Sequence, residues 1–186
     1  MSVTPQIIQL RRHGRALGTR ELGAEVANEI RGADPTAPAL ILDFAGVQVA
    51  SSPFLDEVAC AMRAAIVDQP DRFMLLANPN GDVADTMELV LDRRDISLTI
   101  LERKTLRVLG GRRHLDETLA AARELGTFTA PELAERLKLK LPNLHQRLTR
   151  LEAAGVLTRS DDPSARRGRR LLFATPPVDQ LDAALC

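Results

Sequence analysis

The first 110 residues alternate short apolar runs with segments whose apolar residues recur at helical spacing. Continuous apolar runs such as ALILDF and RFMLLAN are typical of strands that are buried on both faces of a sheet. The predicted strands cover residues 6–10, 39–44, 72–78 and 97–102. The predicted helices between them cover residues 19–32, 53–68 and 83–91. This alternation predicts an α/β domain with a largely parallel sheet.

The segment LRVLGGRRH, residues 106–114, interrupts the alternation. A glycine pair followed by arginines is typical of a hinge. We therefore predict two domains, at 1–110 and 111–186, that fold separately. Beyond the boundary the pattern predicts three helices, at 115–125, 131–137 and 143–154. Two strands follow at 155–161 and 169–175, with a polar, basic segment between them and a closing helix at 177–185.

Charge is distributed unevenly along the chain, although its formal net charge is zero. Residues 1–110 hold 12 basic and 15 acidic side chains, whereas residues 136–170 hold 10 basic and 3 acidic ones. A basic segment of this kind indicates a surface that faces nucleic acid. The alternative is a solvated basic surface. Five Phe with neither Trp nor Tyr argue against single-strand binding by base stacking.

The stretch GTFTAPELAERLKLKLPNLHQRLTRLEAAGVLTR combines several features of one fold. Thr129 is placed to cap the second helix, and Leu133 and Leu137 to pack it. Gly155 is placed to end the third helix in a left-handed conformation. With two strands after it, this segment resembles the bacterial winged-helix regulators of the MarR and ArsR kind, over about residues 115–175. The resemblance implies a C-terminal winged helix-turn-helix domain that binds double-stranded DNA.

The third helix has an apolar face formed by Leu144, Leu148 and Leu151, which must point towards the core. Helical geometry leaves a polar set outside: Asn143, His145, Gln146, Arg147 and Arg150. In a winged helix, this helix enters the major groove. Amides suit adenine edges and arginines suit guanine or phosphate, so we expect Asn143 and Gln146 at bases and Arg150 at a phosphate. The alternative is a polar face that contacts a protein.

A second basic cluster surrounds Gly168 between the last two predicted strands. It consists of Arg166, Arg167, Arg169 and Arg170. The glycine allows a tight turn at the tip of the wing. The arginines are placed to straddle a phosphate or to enter a minor groove.

The stretch ALILDFAGVQVASSPFLDE combines a strand, a turn with two serines, and a helix that begins at the turn. With the preceding TRELG helix, it resembles the STAS-like domains of unknown function, relatives of the STAS domains of anti-sigma-factor antagonists. The resemblance covers roughly residues 1–105 and implies an N-terminal STAS-like domain. In the partner-switching proteins, a kinase that is also the anti-sigma factor phosphorylates a serine at this turn. Here Pro53 stands where a glycine would.

The serines of this turn have three interpretations. Ser52 before Pro53 suits an N-cap, which stabilises a helix by about 1 kcal/mol, and Asp56 and Glu57 then favour the positive end of the helix dipole. In the second interpretation, Ser51, Ser52, Asp56 and Glu57 form a contact site for a protein partner. The third is phosphorylation of Ser51 or Ser52, although the two carboxylates would repel the phosphate.

Several other classes of function find no support in the sequence. Cys60 and Cys186 lack the spacing of a zinc site. No apolar run approaches about 18 residues, and the first residues do not resemble a signal peptide. No histidine is arranged with a nucleophile as in an active site. We therefore predict a cytoplasmic protein that is not an enzyme, does not associate with membranes, and needs no metal or cofactor. The resemblance to bacterial regulators implies that the protein is bacterial.

The predicted function is a DNA-binding transcriptional regulator whose N-terminal domain senses a protein partner or another signal. A protein-interaction adaptor, in which the winged helix binds protein, is the first alternative. An enzyme with an unrecognised site in the α/β half is the second. A homodimer is compatible with each of them.

Overall fold

A computed structural model describes residues 4–111, 113–163 and 170–185 of the chain. The N-terminal half contains seven strands, three α-helices and one 3-10 turn within residues 4–111. In chain order they are β1 (Gln6–Gln9), the 3-10 turn (Leu10–His13), β2 (Ala16–Leu17), α1 (Arg20–Arg31), β3 (Ala39–Asp43), β4 (Val49–Ala50), α2 (Ser52–Asp68), β5 (Phe73–Ala77), α3 (Gly81–Arg94), β6 (Leu98–Glu102) and β7 (Thr105–Leu109).

The main sheet has the strand order β1-β3-β5-β6-β7. The first four strands are parallel, and β7 is antiparallel to β6. This arrangement confirms the predicted α/β class and the largely parallel sheet. Strand β7 was missed, because its start alternates exposed and buried residues as an edge strand does, whereas the glycine pair after it suggested a hinge.

All three N-terminal helices lie on one face of the main sheet. The connections from β1 to β3, from β3 to β5 and from β5 to β6 each lead to the next strand in the same direction across the sheet. Because such crossovers are right-handed, α1, α2 and α3 lie on the same side of the sheet. Their apolar faces form one buried cluster with alternate strand residues such as Leu40, Leu42 and Met74. The sheet therefore has a second apolar face that these helices cannot cover.

The C-terminal half covers that second face. Its elements are α4 (Arg113–Leu125), β8 (Thr127–Phe128), α5 (Ala130–Leu137), α6 (Leu141–Ala153), β9 (Thr158–Asp161), β10 (Leu171–Ala174) and α7 (Val178–Ala184). One buried cluster joins sheet residues such as Ile41 and Leu75 to Leu119, Leu148 and Leu151 of α4 and α6. The two halves thus share a hydrophobic core.

The C-terminal half has the predicted winged-helix layout. Helices α4, α5 and α6 precede the hairpin of β9 and β10, in which Leu171 lies opposite Asp161. The short strand β8, between α4 and α5, completes an antiparallel sheet of order β8-β10-β9. The sequence did not predict strand β8. Its residue Phe128 pairs with Phe173 of β10, and the two rings stack with their centroids 5.8 Å apart.

The glycine pair at the predicted boundary is closely packed, which differs from the flexible hinge that the sequence suggests. Gly110 has a φ of +65°, and a Cβ there would lie 2.3 Å from the carbonyl oxygen of Ile96. A Cβ on Gly111 would lie 2.8 Å from Cγ1 of Val108. Glycine is needed here because the backbone turns a tight corner. The boundary at residues 110 and 111 itself stays a prediction.

Candidate nucleic-acid interface and the serine turn

The helix-turn-helix begins with a capping box at Thr129. The backbone N–H and the hydroxyl of Thr129 each donate to Oε2 of Glu132 at 2.7 Å. These bonds lower the pKa of Glu132 from its ordinary value. Lys138 then ends α5 in a left-handed conformation, with a φ of 54°. The cap that the sequence predicted at Thr129 is therefore present, strengthened by the Glu132 partner.

Helix α6 ends at a glycine in the left-handed conformation, as predicted. Gly155 has a φ of +74°. The N–H of Val156 donates to the carbonyl of Leu151 at 3.2 Å, and the N–H of Gly155 to that of Glu152 at 2.9 Å. This pattern satisfies carbonyl groups that a helix end would otherwise leave without partners.

The outward face of α6 carries four of the five predicted contact residues on exposed positions. Leu144, Leu148 and Leu151 are buried on the opposite face, as expected. The exposed side chains are Asn143, His145, Gln146 and Arg150. They lie towards the first turns of the helix and one turn beyond, where a helix in a major groove contacts bases and backbone.

Arg147 has a different environment from its neighbours. Its Nη1 donates to Oγ1 of Thr118 at 3.0 Å and to the carbonyl of His114 at 3.4 Å. Arg147 thereby joins α6 to α4, and it is only partly exposed. Sequence periodicity identified it as outward-facing, but a long side chain at the edge of the apolar face can turn back to a neighbouring helix.

Sequence reasoning missed two exposed side chains beside this face, Lys140 and Thr149. Lys140 precedes α6, and Thr149 follows Gln146 by three residues, so it lies on the same side of the helix. The hydroxyl of Thr149 donates to the carbonyl of His145 at 3.0 Å. The helical spacing from Gln146 was the signal that could have identified Thr149.

The described part of the wing carries one of the four predicted arginines. Arg170 is half-exposed, and its Nε lies 3.8 Å from Oδ2 of Asp162. The N–H of Asp162 donates to the carbonyl of Arg170 at 2.8 Å, which closes the base of the wing. Arg166, Arg167 and Arg169 lie outside the described residues.

The serine turn has Ser51 as its helix cap, so the predicted cap at Ser52 is wrong. The hydroxyl of Ser51 accepts the N–H of Phe54 at 3.3 Å and donates to the carbonyl of Gly18 at 2.7 Å. Ser52 is the first residue of α2, and Pro53 is the second. Proline is tolerated there as well, because all N–H groups of the first turn lack helical partners.

Asp56 and Glu57 are paired with arginines. Oδ1 of Asp56 accepts from Nε of Arg94 at 2.7 Å, and this bond lowers the pKa of Asp56. Glu57 accepts from Arg20 at 2.7 Å. Neither carboxylate lies in the first turn of α2. Both carboxylates are thus neutralised by arginines that are distant along the chain.

Ser52 lies at the edge of a cavity of about 310 Å³ that is lined by Arg20, Arg93 and Arg94. A negative group on Ser52 would meet these guanidinium groups as well as Asp56. The like-charge repulsion expected from the sequence is therefore reduced, because Arg20 and Arg94 already pair with Glu57 and Asp56 and the cavity lining adds Arg93.

The described residues contain neither a helix suited to span a membrane nor a side-chain group suited to hold a metal ion. None of the helices among them is long and apolar enough to cross a bilayer. Within the same residues, no three His, Cys, Asp or Glu side chains come together as a group that could hold a metal ion.

Comparison with known proteins agrees with the geometry of the C-terminal half. No curated protein matches the chain. The family model described as the MarR family matches residues 118–168, which run from α4 through α5 and α6 into the wing. Residues 118–168 are therefore similar to the MarR family, and the described part of this segment has the winged-helix layout.

Proposed function

We propose that this protein is a DNA-binding transcriptional regulator that inserts α6 into the major groove of duplex DNA. The observation that carries the proposal is the exposed set Asn143, Gln146 and Arg150 on a helix whose opposite face is buried. This set lies in a domain that matches the MarR family. Amides and guanidinium groups on one face are the side chains that read base edges and contact phosphates.

The side chains of α6 have different roles in this proposal. Gln146 and Asn143 contact base edges, and Arg150 contacts a phosphate one turn later. His145 contacts the backbone beside them. Arg147 positions α6, because its guanidinium is bonded to Thr118. The wing arginines, Arg166, Arg167, Arg169 and Arg170, contribute affinity through phosphates.

The N-terminal half is proposed to be a STAS-like domain that receives the signal. Support comes from the element order β3, β4, serine turn and α2, and from the hydrogen bond that the hydroxyl of Ser51 donates to the carbonyl of Gly18. A protein partner is proposed to contact the surface around Ser51, Ser52, Asp56 and Glu57. Because the sheet and the winged helix share a core, a shift of the sheet would reach α6 directly.

The experiment that tests the function is selection from random duplexes with the pure full-length chain. We expect an enriched sequence and a dissociation constant that rises steeply with salt. Replacement of all four wing arginines by Ala should weaken binding to every duplex. It should also reduce the salt slope by about 0.9 for each phosphate that the wing no longer neutralises. No duplex binding at low salt would contradict the proposal and favour the adaptor.

A further inference from the structure

A cavity of about 560 Å³ lies where the β6–β7 hairpin faces the loop between β5 and α3. Its lining residues are Asn78, Pro79, Ile100, Glu102, Arg103, Thr105 and Arg107. We propose that this cavity binds a small apolar α-amino acid and that the ligand regulates the DNA-binding half. The regulatory part rests on the proposed function, whereas the binding site does not. The volume is within the range of about 300–1,000 Å³ that is usual for small-molecule sites.

The hairpin places four lining residues on one face. Ile100 lies opposite Arg107, and Glu102 lies opposite Thr105. Directly paired residues of an antiparallel ladder point to the same side, and so do residues two apart along a strand. The cavity wall is therefore a regular surface that combines the buried Ile100 with the polar side chains of Glu102, Thr105 and Arg107.

The opposite wall is held in a fixed conformation. Asn78 has a left-handed backbone with a φ of 51°, and its Nδ2 donates to Oδ1 of the buried Asp43 at 3.0 Å. Oδ1 of Asp43 also accepts the N–H of Ala45 at 3.0 Å. A non-glycine residue in this conformation costs free energy and persists where its surroundings impose it, which is common at binding sites.

The charged groups of the cavity lack strong partners within the protein. Neither Glu102 nor Arg103 forms a salt bridge with any residue the structure describes, and the Arg107 guanidinium is 3.9 Å from Glu88 at a half-exposed position. The cavity thus offers one carboxylate and two guanidinium groups to a ligand, around the apolar surface of the buried Pro79 and Ile100.

An α-amino acid complements this set of groups. Its carboxylate suits a guanidinium group of Arg103 or Arg107, since such pairs form strong charge-assisted hydrogen bonds. Its ammonium suits Glu102, and its apolar side chain suits Pro79 and Ile100. A ligand with only the carboxylate would leave Glu102 opposed by like charge, and a ligand with only the amine would oppose the arginines.

The rim of the cavity is bonded to the DNA-binding half. The N–H of Lys104, between the lining residues Arg103 and Thr105, donates to Oδ1 of Asp182 in α7 at 3.2 Å. Its carbonyl accepts from Nη2 of Arg123 in α4 at 3.0 Å, and its Nζ lies 3.3 Å from Asp179. A ligand that moves this turn would therefore move α4 and α7.

Calorimetric titration of the full-length chain tests the binding site. The probes are leucine, valine, methionine and phenylalanine, with isocaproate and isoamylamine as analogues of leucine that lack the ammonium or the carboxylate. We expect saturable binding of at least one amino acid. If leucine binds, each analogue should bind at least about 10-fold more weakly, because a charged hydrogen-bonding group is missing. No binding by any of the four, or equal binding of leucine and isocaproate, would overturn the proposal.

Variants locate the binding in the cavity. Arg107→Ala and Glu102→Gln should each reduce affinity for the bound amino acid by about 10-fold or more. Arg63→Ala is the matched control, because Arg63 is an exposed arginine on α2 that does not line this cavity. Thermal unfolding of each variant separates loss of the site from loss of the fold. Unchanged affinity in both cavity variants would overturn the assignment of the site.

DNA binding separates this inference from the proposed function. With a selected duplex, the amino acid should change the dissociation constant by about 5-fold or more, and Glu102→Gln should remove that response. A chain that binds the amino acid but no duplex contradicts the proposed function and leaves the site standing. A chain that binds the duplex but none of the amino acids contradicts the site alone.

Discussion

The carbonyl oxygen of Gly155 accepts the backbone N–H of Met74 at 2.9 Å. This bond joins the second residue after α6 to strand β5 of the main sheet. A second bond lies beside it, from Oγ1 of the buried Thr99 to the carbonyl of Ala154 at 3.0 Å. The end of the helix that we propose to read DNA is therefore fixed to the sheet by buried hydrogen bonds.

Gly155→Ala should destabilise the protein by about 1–3 kcal/mol or more. Its φ of +74° disfavours any side chain, and a Cβ would lie 2.6 Å from the carbonyl oxygen of Met74. Urea unfolding measures the change. Gly81→Ala is the control, since a Cβ at Gly81 has nothing within 4 Å, and it should be neutral or stabilising by up to about 1 kcal/mol. Equal stability of the two variants would contradict the close approach.

The isolated segment 1–110 should fail to unfold cooperatively, whereas the full chain should show one transition. The sequence alone predicted separate folding. The shared core predicts otherwise, because removal of the C-terminal half exposes the sheet face that contains Ile41, Phe73 and Leu75. Thermal unfolding and light scattering measure the outcome. If the 1–110 segment is monomeric and unfolds cooperatively, this sheet face tolerates exposure to water and the prediction is wrong.

Sequence periodicity predicted the elements that local rules define. The cap at Thr129, the buried face of α6 and the turn at Gly155 follow from residues that are close in sequence. Contacts between distant segments were not accessible in this way. The pairing of Asp56 with Arg94 joins residues 38 positions apart, and no pattern along the chain indicates that the C-terminal half covers the sheet.

Ser51→Ala should lower the free energy of unfolding by about 0.5–2 kcal/mol, because its hydroxyl caps α2. Ser52→Ala should change it by less than about 0.5 kcal/mol, because Ser52 is a first-turn residue without a capping bond. Ser51→Asp should not fully restore stability. An aspartate accepts the N–H of Phe54 but cannot donate to the carbonyl of Gly18, as the serine does. Urea unfolding of the three variants checks this order, and a larger effect at Ser52 would contradict it.

Asp56→Asn should reduce the dependence of stability on acidic pH. The hydrogen bond from Arg94 lowers the pKa of Asp56 from its ordinary value of 3.8. A carboxyl whose pKa is lower in the folded state stabilises the protein above its unfolded pKa. That stabilisation is lost as pH falls through the folded pKa. Unfolding measured at about pH 6 and about pH 3 should show a smaller difference for the variant than for the parent chain. Equal differences would show that the ion pair contributes little.

The arginines of α6 should differ in their effects on DNA binding. Arg150→Ala should weaken binding to all duplexes and reduce the salt slope by about 0.9, as expected when one phosphate is no longer neutralised. Arg147→Ala should leave the salt slope unchanged and lower the free energy of unfolding by about 1 kcal/mol, because its guanidinium donates to Thr118 and His114. Gln146→Ala should leave the salt slope and the free energy of unfolding unchanged. It should relax the preference for one base pair by about 1–3 kcal/mol. Fluorescence anisotropy across a salt series, with single-base variants of the selected duplex and parallel urea unfolding, separates the three effects. A salt slope that falls as much for Arg147→Ala as for Arg150→Ala would mean that Arg147 leaves α4 and contacts a phosphate in the complex.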